Sequence, residues 1–352
     1  MPMTEPEPSP RPPRRPRYRG SHPRHFEQKY KELNPELDSE TIAKVLASGK
    51  TPAGQHLPIL VEEILTVLKP QPGERVVDAT LGYGGHAERL LRAVTPGGCL
   101  LGLDQDPIEL PKTTDRLRRL GFDETAFVPK RSNFAGLLLA VEGQGWADGV
   151  DLLLADLGVS SMQIDNPARG FSFKLAGPLD MRMNPQRGIS AAALLQKLSV
   201  EKLQALLVEN ADEPFAGLLA QQMVEKAAVG KLTTTRSLAE AIQAALPRQV
   251  SEEERGLSVR RVFQALRIAV NDEFGVLEAF LRALPKALRA GGRVAILTFH
   301  SGEDRRVKHA FQEGRRAGLY REIAEEVIRP SRAEVQANPR ASSAKLRWAV
   351  RG

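Results

Sequence analysis

Five short, almost uninterrupted apolar runs, at residues 75–79, 100–104, 126–128, 151–155 and 293–299, alternate with segments of helical period. Strands that are apolar on both faces belong to a sheet covered on both sides. Their alternation with helices makes that sheet mostly parallel. The stretch LPILVEEILTVLK, apolar at 57, 60, 61, 64, 65 and 68, leads into the pattern as an amphipathic helix. An α/β, Rossmann-like fold is therefore expected.

The gap between the fourth and fifth runs is too long for one crossover. It holds helical segments at 194–209, 215–229 and 235–245. The expected organisation is a sheet domain built from 51–161 and 256–352, with an all-helical domain, 162–255, inserted for substrate recognition. Residues 260–290 read as helices returning to the sheet. Residues 1–50 read as a Pro/Arg-rich arm, disordered over 1–28, with a short helix at 38–50. Such an arm serves as a solubilising tail or as a tether to RNA phosphates.

Bulk composition narrows the function classes. No run of about 18 apolar residues is present, and the arm lacks the apolar stretch of a secretory signal. The expectation is a cytoplasmic protein with no membrane partner. A single cysteine, Cys99, excludes an internal disulfide and a multi-cysteine zinc site. Six scattered histidines without H-E-x-x-H spacing lead to no expected metal. A net charge of +7 favours a polyanionic partner such as nucleic acid. Oligomeric state is not written in the sequence, and a homodimer is left open.

The segment VVDATLGYGGHAERLL is a strand, a glycine-rich turn and a helix in succession. Glycines there let the backbone approach a ligand, and the helix start offers N–H groups. Gly82, Gly84 and Ala87 also satisfy the dinucleotide fingerprint, with Asp104 at a suitable distance, so the glycines alone leave NAD and S-adenosylmethionine open. Asp78 tilts the choice. A carboxylate ending the first strand suits a cationic methionine moiety and would repel pyrophosphate. Asp104, closing LLGLD, is placed to accept both ribose hydroxyls. Phe134 is a candidate adenine contact, though taken alone it reads first as an ordinary core phenylalanine.

The fourth run continues DLLLADLGVSSMQIDNPARGFSFKLAGPLDMRMNP, a polar loop of functional length beyond a strand's carboxyl end. With HLPILVEEIL, DATLGYGGHAERLL, LDQDP, RVFQALRIAVNDE, GGRVAILTFHSGEDRRVKHAF and NPRASSAKLR, this chain closely resembles the bacterial 16S ribosomal RNA cytosine-N4 methyltransferases, the MraW/RsmH family. The resemblance spans about residues 56–347. It implies a class I S-adenosylmethionine-dependent methyltransferase with an inserted helical domain, acting on 16S rRNA in the small ribosomal subunit. Carried across position by position, the family's cofactor contacts fall on Gly84, Gly85, His86, Asp104, Phe134, Asp156 and Gln163. One departure is Gly302 in FHSGEDR, where a larger apolar residue is usual.

A cytosine amine is a poor nucleophile, so the site must align it and accept its hydrogen bonds. Asp156, with Ser160 and Ser161 of the following turn, is the candidate acceptor set. Phe171 or Phe173 is a candidate for stacking on the base, with core packing the equal alternative. Arg169, Arg182 and Arg340, with Arg261, Arg267 and Arg305, are candidate phosphate contacts, though each taken singly reads first as a solvated or structurally paired arginine, and His300 borders the same rim. His300, Ser301 and Asp304 do not make a hydrolase triad, since no G-x-S-x-G elbow is present. Two rivals stay open at this stage: an NAD(P)-dependent dehydrogenase, and a non-catalytic RNA-binding assembly protein.

Overall fold

The structure, a computed structural model, describes residues 58–352. The arm and the 38–50 helix expected from sequence lie outside the described residues. Helix α1 (Val61–Leu68) leads into β1 (Arg75–Asp78), α2 (Gly85–Val94), β2 (Cys99–Asp104), α3 (Glu109–Arg119), β3 (Phe127–Arg131), α4 (Leu137–Gly143) and β4 (Val150–Asp156). After a short α5 (Ser161–Asp165) come helices α6 (Ala191–Lys197), α7 (Val200–Ala211), α8 (Ala216–Ala228), α9 (Thr235–Ala245) and α10 (Glu252–Asn271). The chain then returns through α11 (Glu273–Ala287) to β5 (Leu288–Thr298), α12 (Ser301–Arg316), β6 (Tyr320–Ile323), α13 (Arg332–Ala337) and β7 (Lys345–Arg351).

The seven strands form one sheet in the order β3-β2-β1-β4-β5-β7-β6. The first five are parallel, while β7 runs antiparallel to both β5 and β6. This is the sheet of class I methyltransferases. Side chains alternate across a strand, so each apolar run feeds two cores. Leu153 and Ala155 of β4 join Val77 and Leu101 in a core closed by α4, α11 and α12. Leu152 and Leu154 join Val76 and Leu100 in a second core closed by α1, α2 and α3.

The intervening helices have a core of their own, in which Leu195, Leu203, Leu207, Leu219, Met223 and Ile242 are buried. Its limits differ from the 162–255 expected. Leu179 and Met181 already belong to it, and so do Val259, Val262, Phe263 and Leu266. Helix α10 is thus part of the helical body rather than a return to the sheet, because one continuous helix cannot break at residue 255 without losing that apolar face. The chain turns at Asp272, whose φ of 48° separates α10 from α11.

Candidate functional site

Three neighbouring strands, β2, β1 and β4, each end on an aspartate: Asp104, Asp78 and Asp156. Between β1 and β4 the strand order reverses, and ligands of open α/β sheets bind at such a switch point. A cavity of about 350 Å³ opens there, lined by all three aspartates, the Thr80–His86 loop and the Leu157–Ser161 turn.

The glycine loop is fixed by groups that local sequence does not announce. Gly82 and Gly84 have φ of 48° and 79°, the left-handed region that glycine adopts without strain. At Gly84 a Cβ would also lie 2.9 Å from Thr113 Cγ2. The Thr113 hydroxyl donates to the Gly82 carbonyl at 2.5 Å. Arg116 donates through Nε to the Tyr83 carbonyl at 3.1 Å and through Nη2 to the Gly84 carbonyl at 2.9 Å. Its guanidinium also lies 4.4 Å from the Tyr83 ring centroid. With the loop's carbonyls bound from α3, the start of α2 is left toward the cavity.

Asp104 holds the loop as well. Its Oδ2 accepts from Gly82 N at 2.9 Å and its Oδ1 from Asp106 N at 2.8 Å. Each oxygen keeps a second lone pair for a ligand hydroxyl. Asp78 Oδ1 accepts from Thr80 N at 3.1 Å, and the Thr80 hydroxyl in turn accepts from Asp156 N at 2.6 Å. Asp156 Oδ1 is buried without a hydrogen-bond partner, and Oδ2 lies 3.7 Å from His86 Nε2.

Burial pushes the Asp78 carboxyl up to about 7, with Asp104 adding to it. Burial, reinforced by Asp78 and Glu303, likewise raises Asp156 to about 7. Asp104 rises to about 6, again chiefly through burial. Three desolvated carboxyls in one cavity resist ionising together. The two arginines that line it are engaged: Arg267 grips both Glu273 oxygens at 2.8 Å, and Arg340 pairs with Asp165 at 2.6 Å. A ligand carrying its own positive charge relieves this. The donor set fits the sulfonium and ammonium of S-adenosylmethionine and opposes a pyrophosphate.

The remaining sequence candidates divide sharply. Gly85, Phe134, Ser160, Ser161 and Gln163 line the cavity with the residues above. Phe134 meets Phe280 edge-on, with centroids 5.3 Å apart. Ser160 caps α5, accepting from Gln163 N, while Gln163 Nε2 reaches Asp106 Oδ2 at 2.8 Å. Gln163 therefore also braces the turn.

Arg169 requires correction as a phosphate contact. It is buried, with Nη1 on Asp106 Oδ2 at 2.7 Å and Nη2 on the Arg182 and Met183 carbonyls. Phe171 and Phe173 follow the core-packing alternative, since both pack on the helical core and Phe173 meets Phe263 at 5.6 Å. Neither lines the cavity. His300 turns to Glu303, 3.2 Å away, and lies outside the lining. Glu273, His300 and Glu303 bring ligand atoms within 4.8 Å of one another, but Arg267 already supplies the cation there. Gly302 has a steric reason, because a Cβ there would stand 2.6 Å from Phe274 Cζ. Arg182 grips Asp180 with two bonds, and Arg261 pairs with Glu254.

Residues 53–351 match the MraW methylase family. The chain is 49% identical over 342 residues to ribosomal RNA small subunit methyltransferase H 1 of Lachnoclostridium phytofermentans, covering 96% of this chain and 93% of that one. It is 50% identical over 343 residues to ribosomal RNA small subunit methyltransferase H 2 of Alkaliphilus metalliredigens, covering 96% and 97%. Both alignments reach into the N-terminal segment ahead of residue 53. A crystal structure of a putative rRNA-methylase from Clostridium thermocellum aligns over 85% of this chain and all of that one, at 12% identity and a TM-score of 0.40.

Proposed function

This chain belongs to the MraW methylase family, and from that premise we propose that it methylates N4 of a cytidine in the decoding region of 16S rRNA, within the small ribosomal subunit. The observation that carries the proposal is the convergence of Asp78, Asp104 and Asp156 on one cavity, with Asp156 Oδ1 left unpartnered. The relatives named for ribosomal RNA methylation supply the substrate class.

When bound, S-adenosylmethionine supplies an electrophilic methyl group on a sulfonium. Asp104 offers its free lone pairs to the ribose hydroxyls, and Asp78 faces the charged methionine end. The Gly82–Gly85 loop, its carbonyls held by Arg116 and Thr113, presents the start of α2 to that end. Phe134 closes the side of the cavity beyond β3.

The cytosine amine needs an acceptor as its nitrogen leaves conjugation. Asp156 Oδ1 takes one amine N–H, and the Leu157–Ser161 turn takes the other through a carbonyl or a serine hydroxyl. The Asp156 carboxyl, ionised once the cationic cofactor is beside it, receives the proton that the nitrogen sheds. The target base has to leave its stack to reach this depth.

Mass spectrometry of small-subunit RNA from cells with and without the protein tests the reading. A decoding-region cytidine should lose one methyl group in the deletion strain. A methyl group lost from another nucleotide, or no change, overturns the assignment.

A further inference from the structure

Beside the cofactor cavity lies a second one of about 310 Å³. Gln105, Ser132 and Asn133 line both cavities, so the two share a wall. The second is also lined by Arg131, Arg182 and Arg187, and among the described residues no acidic one lines it. Arg182 is paired with Asp180 through two bonds. Arg131 and Arg187 are exposed, and neither guanidinium makes a hydrogen bond or ion pair among the described residues. That sets them apart from Arg169, Arg267 and Arg340, which are all bound to carboxylates.

We propose that this second cavity is a phosphodiester subsite, in which Arg131 and Arg187 clamp the backbone phosphate of the nucleotide whose base enters the first cavity. It rests on the reading of the chain as an RNA methyltransferase. Because Gln105, Ser132 and Asn133 line both cavities, an anion in the second lies next to the first. Guanidinium groups bind phosphate oxygens bidentately, and the neutral Asn133 and Ser132 set no charge against the anion. Arg131 reaches the cavity from the end of β3 and Arg187 from the loop before α6, so the subsite joins the sheet to the helical body.

The test measures anisotropy of a short fluorescein-labelled, cytidine-containing RNA on the full chain between roughly 50 and 200 mM salt. The Arg131→Ala/Arg187→Ala double variant should bind about 10-fold more weakly, with a salt slope shallower by roughly 1 to 2. Its affinity for S-adenosylhomocysteine should be unchanged. Wild-type affinity and slope in the double variant would overturn the subsite. An equal loss in Arg315→Ala/Arg316→Ala, at the exposed end of α12, would reduce it to general attraction and overturn it as well. If inorganic phosphate raises the melting temperature of wild type but not of the double variant, while RNA affinity is equal, the occupant is free phosphate and the RNA assignment falls. Should the wild type transfer no methyl group to RNA while the double variant still loses RNA affinity, the enzymatic reading fails and the subsite stands.

Discussion

Arg169 Nη1 donates to Asp106 Oδ2 at 2.7 Å, with both side chains buried, and so joins the end of β2 to the loop beyond β4. The same Asp106 oxygen receives Gln163 Nε2. The pair therefore sets the distance between the turn carrying Asp104 and the turn carrying Ser160. Removing one partner of a buried pair leaves the other charge uncompensated, at a cost of about 3–5 kcal/mol. Arg169→Ala should lower stability by that amount in urea unfolding and weaken cofactor binding as the turns part. A variant of wild-type stability with reduced RNA affinity would restore Arg169 as a phosphate contact.

The pH dependence follows from the three strand-end carboxyls. Their native values of about 7, 7 and 6 lie above the usual carboxylate value, so the empty native state holds protons that the unfolded chain has released. Their contribution to stability is full below about pH 4 and is lost as pH rises through about 6 to 7. A cationic ligand favours the ionised carboxyls and drives those protons off. Calorimetry at about pH 6.5 in buffers of different ionisation enthalpy should show proton release on binding S-adenosylmethionine. Release should be smaller for S-adenosylhomocysteine, which lacks the sulfonium charge. Equal or absent release for both ligands would mean the carboxyls do not face the cation.

Much of this was legible in the sequence, because a parallel strand ends at the ligand edge. An Asp closing VVD, LLGLD and LLLAD could be assigned to that edge without any coordinates. The strands β6 and β7 were not legible. YREI and KLRWAVR carry charges through their length, and their pairing spans a long connection that no local period reports. Arg169, Phe171 and Phe173 stayed open between a site role and a structural one for another reason. A motif tells which residues are present, but not which donors and ring faces are already spent on Asp106 or on the helical core. Arg116 was missed because its bonds to Tyr83 and Gly84 cross more than thirty residues.

Asp104→Ala removes two acceptors at once, one for Gly82 N and one for Asp106 N, besides those proposed for the ribose. A hydrogen bond to a charged group contributes about 1.5–3 kcal/mol. Cofactor affinity measured by calorimetry should fall by roughly 10- to 150-fold. Unchanged affinity would remove Asp104 from the cofactor site.

Asp156→Asn keeps the shape of the side chain and its place beside Thr80, but it cannot take a proton at neutral pH. Loss of a positioned acid–base group costs about 10²- to 10⁴-fold in rate. Single-turnover methyl transfer at saturating cofactor should slow by at least the lower figure, while affinity for S-adenosylhomocysteine stays near that of wild type. A variant as fast as wild type would shift the acceptor role to the Leu157–Ser161 turn.

Gly84 meets two separable demands, and a double-mutant cycle divides them. Its φ of 79° strains any L-residue, and a Cβ would press on Thr113 Cγ2 at 2.9 Å. Gly84→Ala should therefore destabilise the chain by about 1–3 kcal/mol and weaken cofactor binding. Thr113→Ser removes the offending methyl but keeps the hydroxyl that donates to the Gly82 carbonyl. In that background Gly84→Ala should cost less, because only the backbone strain and the contacts near 3.3 Å to Arg116 and Leu117 are left. Thermal melting of the four proteins checks it. Full additivity would mean that the methyl contact contributes nothing and that φ alone fixes a glycine at this position.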